Sequence, residues 1–158
     1  MTKAPDHNHF IDALREILNE TFDTHHGLYL DRGTSLFETL ATVTAEEASR
    51  PVSASCASIS AQVNHVIYYL DVLRSAMEGN EPEGVDWTQA WTVGPVNDEA
   101  WTALTRRLRA SADETMSLLG STTEWSEDAA YGAVSIAVHT AYHLGEIRQA
   151  LCTIQNRH

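Results

Sequence analysis

The 158-residue chain is predicted to fold as an all-α protein, an antiparallel four-helix bundle. Three observations carry this expectation. Four long segments repeat their apolar residues at the three-and-four spacing of one helical face. Cap and stop residues, among them Gly27, Asn97, Gly120 and Ser126, mark segment ends. The link between the first two long segments runs roughly 25–30 residues, long enough to allow up-down-down-up order instead of simple up-down. At this length one domain spanning 1–158 is the default, and about two thirds of the unfolded surface can be buried without disulfides.

The first long helix is expected from Asn8 to His25. Phe10, Leu14, Ile17, Leu18 and Phe22 form its buried stripe, and Asp12, Glu16 and Glu20 fall mostly on the other side. Gly27 suits the left-handed residue that closes it, and His25 and His26 read as surface residues near the helix dipole's negative end. Leu28 to Arg32 is a connector. Ser35-Leu-Phe-Glu38 fits a capping box and should start a short helix over Leu36 to Val43, and Thr44-Ala-Glu-Glu47 one more turn. Pro51 breaks the pattern. This link should partly cover one end of the bundle.

The second long helix is expected from Cys56 to Glu78. Its core stripe holds Ile59, Val63, Val66, Ile67, Leu70, Leu73 and Met77, with Gln62, His65, Tyr69 and Val72 on a neighbouring stripe. Asn80 to Val96 is a long loop with Pro82, Trp87 and Trp91. Loops of this length are often functional lids. The two indoles either pack on the bundle or line a substrate site. The third helix starts at Asn97 with Trp101, Leu104, Leu108, Ala112, Thr115 and Leu119 buried and ends at Gly120. Arg106, Arg107 and Arg109 read as a solvated basic patch. The fourth helix is capped by Ser126 and runs to about Gln155.

The chemistry concentrates on that last helix. His139 and His143 stand four residues apart, which puts both rings on one helical face, one turn from each other. Their neighbours are small or apolar. A third histidine, His65, lies at the edge of the second helix's apolar face. Three imidazoles from two neighbouring helices would give an open set of nitrogen ligands for one divalent metal ion, with water in the free position. Neutral imidazole suits zinc, nickel, copper and iron. Gln62 and Tyr69, one turn either side of His65, are pocket candidates. Glu146 is a weak candidate for a general base or ligand-orienting residue, and equally a surface residue near Arg148. Gly145 should let helices approach closely, and Tyr68 and Tyr142 read as packing residues. A di-iron bundle would need Glu-x-x-His motifs, and no histidine has a Glu three residues before it.

His65 followed by His139-Thr-Ala-Tyr-His143-Leu-Gly145-Glu146 and Ile147-Arg148-Gln149-Ala150-Leu151 resembles the DinB/YfiT-like proteins, from about Phe10 to Leu151. That resemblance implies an up-down-down-up bundle and one divalent metal, zinc or nickel, on the three histidines. It also implies a metal-dependent enzyme. Members include transferases that attach low-molecular-weight thiols to electrophiles, a mycothiol-dependent isomerase and proteins described as metal-dependent hydrolases. A non-catalytic metal-binding stress protein is the third expectation. Relatives often form dimers, so a homodimer is expected, with an exposed tryptophan-bearing face to serve it.

Composition bounds the partners. A net charge of −12 argues against nucleic acid and against an anionic membrane, since both need a Lys/Arg face. The enzyme reading implies a small-molecule substrate. Cys56 and Cys152 form no C-x-x-C and no disulfide framework, which suits buried or idle thiols in a reducing cytoplasm. The opening residues carry no apolar signal-peptide core, and no apolar run is long enough to span a membrane.

Overall fold

The computed structural model describes residues 7–80 and 84–156. These residues are all-α, as expected, with six α-helices and one 3₁₀ turn. The four long helices are α1 (His7–Phe22), α4 (Ile59–Met77), α5 (Asp98–Ser121) and α6 (Glu127–Gln155). Two short ones, α2 (Leu36–Leu40) and α3 (Ala45–Ser49), lie in the link between α1 and α4, and the 3₁₀ turn spans Gln89–Trp91. Glu81, Pro82 and Glu83 of the expected loop, and the first residues of the chain, lie outside the described residues.

Helix α4 packs against both α5 and α6, and α1 closes the ring by packing on α5 and α6. Their inward stripes meet in one core that includes Leu18, Phe22, Ile67, Leu108, Ile136 and Ile147, all solvent-inaccessible or nearly so. Each such side chain contributes roughly 1.5–3 kcal/mol relative to staying exposed. Of the glycines, Gly132 has the tightest surroundings: an added Cβ would stand 2.9 Å from Met77 Cγ. Gly145, expected to serve that role, is exposed and meets nothing within 4 Å.

The caps hold the helices where the sequence puts them. Ser58, Asn97 and Ser126 each accept a backbone N–H three residues on. Thr44 and Glu47 form the reciprocal capping pair, with Glu47 Oε2 accepting the Thr44 N–H at 2.9 Å. The link runs over one end of the molecule. Arg50 donates to the Ile154 carbonyl at the end of α6, and Ser49 exchanges hydrogen bonds with Val96.

Several expectations are corrected. The first helix stops at Phe22, three residues short of His25. The cause is Glu20, which is not solvated but fully buried. Its carboxylate accepts the backbone N–H groups of His26, Gly27, Leu28, Tyr29 and Leu30, which draws the chain off the helix. Gly27 then takes φ +80°. Phe10 and Ile17, placed in the core stripe by periodicity, are exposed. The second helix begins at Ile59, not Cys56, because Ser58 caps it, and the first short helix ends at Leu40 instead of Val43. Gly120 lies inside α5, which ends one residue later. Two of the three arginines are not simply solvated: Arg109 stacks on the Phe37 ring and pairs with Asp23, and Arg107 pairs with Asp71, while Arg106 is exposed as expected. Both cysteines are free and exposed. No helix among the described residues is long and apolar enough to cross a membrane.

Candidate metal centre

Helix periodicity assembles the site. The four-residue step from His139 to His143 stacks two imidazoles on the α6 face that meets α4. On α4, Gln62, His65 and Tyr69 follow at steps of three and four, so the same seam receives all three. His65 and His143 are buried, and His139 is half-buried. Their ring nitrogens lie within 4.8 Å of one another, close enough to hold one metal ion. His65 Nε2 and His139 Nε2 are 3.0 Å apart.

The third ring is fixed by its other nitrogen. His143 Nδ1 stands 3.2 Å from Gln62 Oε1 and 3.0 Å from Glu146 Oε2. Both partners are acceptors, so Nδ1 carries the proton and Nε2 presents its lone pair. A carboxylate behind a ligating histidine is the usual means of orienting it and raising its basicity. Glu146 therefore turns to His143 and not to Arg148's neighbourhood. Tyr142, expected to pack, is exposed and donates to Glu146 Oε1 at 2.7 Å. That hydrogen bond, the carboxylate's charge and desolvation all raise the Tyr142 pKa.

His65 and His139 are held by stacking. Trp91 lies flat on His65 with ring centroids 3.9 Å apart, and Tyr69 lies on His139 at 3.5 Å. Trp87 closes the edge against Tyr68 and Tyr69. The segment bearing both indoles is tied down by Asn64 Nδ2 donating to the Ala90 carbonyl and by the Asp86 N–H donating to Tyr68 Oη. Sequence reasoning gave neither Asn64 nor the Trp91–His65 stack. A loop tryptophan shows its partner only once the loop is folded.

Electrostatics keeps the rings neutral. Burial first, then the charge on His143, lowers the His65 pKa to about 4. Burial, with His143 and His65, lowers that of His139 to about 3. Burial lowers His143 as well, against the opposing pull of Glu146. Neutral imidazole is the ligating form. The Nδ1 atoms of His65 and His139 are buried without a hydrogen-bond partner. With two facing Nε2 atoms and two orphaned Nδ1 atoms, no arrangement of protons within the pair satisfies both rings. An ion on the Nε2 side uses both facing lone pairs, so the donor set fits a divalent metal.

A cavity of about 640 Å³ opens beside the cluster. Gln62, Trp91, Tyr142, Glu146, Gln149 and Cys56 line it, and no Lys or Arg is among its described lining residues. Among the described residues, three histidines on two helices converge beside this cavity. No protein-family model, no curated protein and no solved structure matches the chain.

Proposed function

We propose that this chain is a metal-dependent enzyme of the DinB/YfiT-like type that transfers a low-molecular-weight thiol to an electrophile. His65, His139 and His143 hold the divalent ion, zinc or nickel. The observation that carries the reading is the convergence of three neutral imidazoles, one of them oriented through Nδ1 by Glu146 and Gln62. A divalent ion held there favours the ionised form of a nucleophile beside it and polarises a substrate oxygen.

The chain's own residues supply the rest. Glu146 and Gln62 hold the His143 proton at Nδ1. Trp91 covers the face of His65 and keeps bulk water from it. The cavity is within the usual 300–1,000 Å³ of small-molecule sites.

The proposal includes an antiparallel four-helix bundle in up-down-down-up order. Supporting it, contacts between α4 and α6 run in opposite senses: Met77 meets Gly132, and Gln62 meets His143. Those between α1 and α5 do likewise, Asp23 with Arg109 and Arg15 with Gly120. Contacts between α4 and α5 run in the same sense, Asp71 with Arg107 and Arg74 with Glu114.

The test is turnover of an activated aryl halide by zinc- or nickel-loaded protein with and without a small thiol. Consumption above background only when thiol and metal are both present, lost in His143→Ala, is the expected result. Ester cleavage without thiol would replace transfer by hydrolysis. Metal binding with turnover in neither assay would overturn the enzyme reading in favour of a metal-binding protein.

A further inference from the structure

The arginines of α5 are unevenly partnered. Arg106, Arg107 and Arg109 put three of the chain's 10 Lys and Arg residues within one helical turn, in a chain with 22 acidic residues. Arg107 pairs with Asp71 and Arg109 with Asp23. Arg106 enters no ion pair among the described residues. Arg106 and Arg109 stand three residues apart, as neighbours on one helical face. Both line a cleft of about 440 Å³ between α5 and α2. No acidic residue is among the cleft's described lining residues, and none of them lines the cavity beside the histidines.

The floor of the cleft is apolar and held in place. Leu40, Val43 and Trp101 are buried, and the Trp101 Nε1–H donates to the Val43 carbonyl at 2.9 Å. Phe37 lies under the Arg109 guanidinium, with Cζ 3.4 Å from the ring centroid, while Nη1 of the same group pairs with Asp23. The stack and the pair fix Arg109, and its Nε and Nη2 enter no hydrogen bond among the described residues.

We propose that this cleft binds a small monocarboxylate with an apolar body, its carboxylate on Arg106 and Arg109 and its body on Trp101, Leu40 and Val43. Charge selects that ligand. Two guanidiniums less the Asp23 carboxylate leave one net positive charge at the rim. That matches a carboxylate better than a phosphate monoester, which carries about −1.5 to −2. The guanidinium fork offers two parallel N–H donors to a carboxylate. An anion there also relieves the repulsion among like charges crowded on one turn. The volume falls within the range of about 300–1,000 Å³ found for small-molecule sites.

The experiment is isothermal titration of the full chain with 2-naphthoate, beside its uncharged amide and beside acetate, which lacks the body. Arg106→Gln removes the unpaired cation from the cleft, and Arg107→Gln removes the same charge from outside its lining. Both positions are exposed, so both variants keep the folded circular-dichroism signal. Expected is one naphthoate per chain with a Kd of about 1 mM or tighter. Binding should be roughly tenfold weaker for the amide, for acetate and in Arg106→Gln, with Arg107→Gln within about twofold of the native chain. The absence of saturable binding overturns the proposal. So does binding that Arg106→Gln leaves unchanged, as a carboxylate captured by an ion at the three histidines would be. Binding that the amide or acetate reproduces, or that both substitutions weaken equally, overturns it as well.

Discussion

Glu146 illustrates how a single residue sets the site. It stands three residues after His143, and its carboxylate reaches Nδ1 of that ring at 3.0 Å. Glu146→Gln keeps an acceptor but removes the charge. Metal affinity should fall about 10- to 100-fold, the usual cost of losing a group that orients a ligand. Isothermal titration with Zn²⁺ reads that change, and an unaltered affinity would remove Glu146 from the site. The histidines carry a pH prediction for the metal-free protein. Their folded-state pKa values, about 4 for His65 and about 3 for His139, lie below the ordinary value near 6.5. Below that value the unfolded chain binds protons that the folded chain refuses. Stability is therefore full above about pH 6.5 and is lost as pH falls toward the folded pKa values. Melting temperature should be level from pH 8 to 7 and decline between about 6.5 and 5, above the carboxylate range. A melting temperature level to pH 5 would contradict it. Glu20 titrates lower. Burial alone would raise its pKa, yet the backbone N–H groups of His26, Tyr29, Leu30 and Leu28 hold it below the ordinary carboxylate value. Its contribution is present above the ordinary Glu range and is lost as pH falls through the depressed value. Glu20→Gln should lower the melting temperature at neutral pH, because an amide accepts fewer of those five donors.

At the scale of the helices, two glycines of α6 give opposite predictions. At Gly145 an added methyl meets nothing, so Gly145→Ala should stabilise by about 0.5–1 kcal/mol through helix propensity alone. At Gly132 the same methyl would press on Met77 Cγ at 2.9 Å. Overpacking of this kind costs about 1–3 kcal/mol, against the same propensity gain. Gly132→Ala should therefore end up less stable than the native chain, and urea unfolding of the two variants reads both signs. The comparison also shows which features periodicity reveals. The limits of α5 and α6 follow from Asn97, Ser126 and long apolar repeats, because those signals are local. That Gly132 and not Gly145 faces another helix depends on how α6 is rotated against α4. Phe10 and Ile17 satisfy the core spacing of α1 but fall on an edge that the helices packed on it, α2, α5 and α6, leave uncovered. Glu20 reads as solvated, because the five N–H groups that bury it come from a turn no propensity specifies.

For the whole molecule, the three histidines come from positions 74 residues apart or more in sequence, His65 on one side and His139 and His143 on the other. Their convergence was legible because the spacing on α6 puts two rings on one face and His65, at the edge of an apolar helical face, can point into the same interior. Gln62, Tyr69 and Glu146, each one helical turn from a histidine, were legible as candidates to hold the rings; the Trp91 stack and the Asn64 tether escaped, because they depend on loop placement. The architecture, the caps and the cavity all lead to that one cluster, so the claim to test first is that it binds metal. Elemental analysis of untagged protein, with His65→Ala and His143→Ala beside it, does so directly. About one divalent ion per chain, lost in both variants that stay folded, is the predicted result. A native protein that contains no metal and takes up neither Zn²⁺ nor Ni²⁺ would contradict the account.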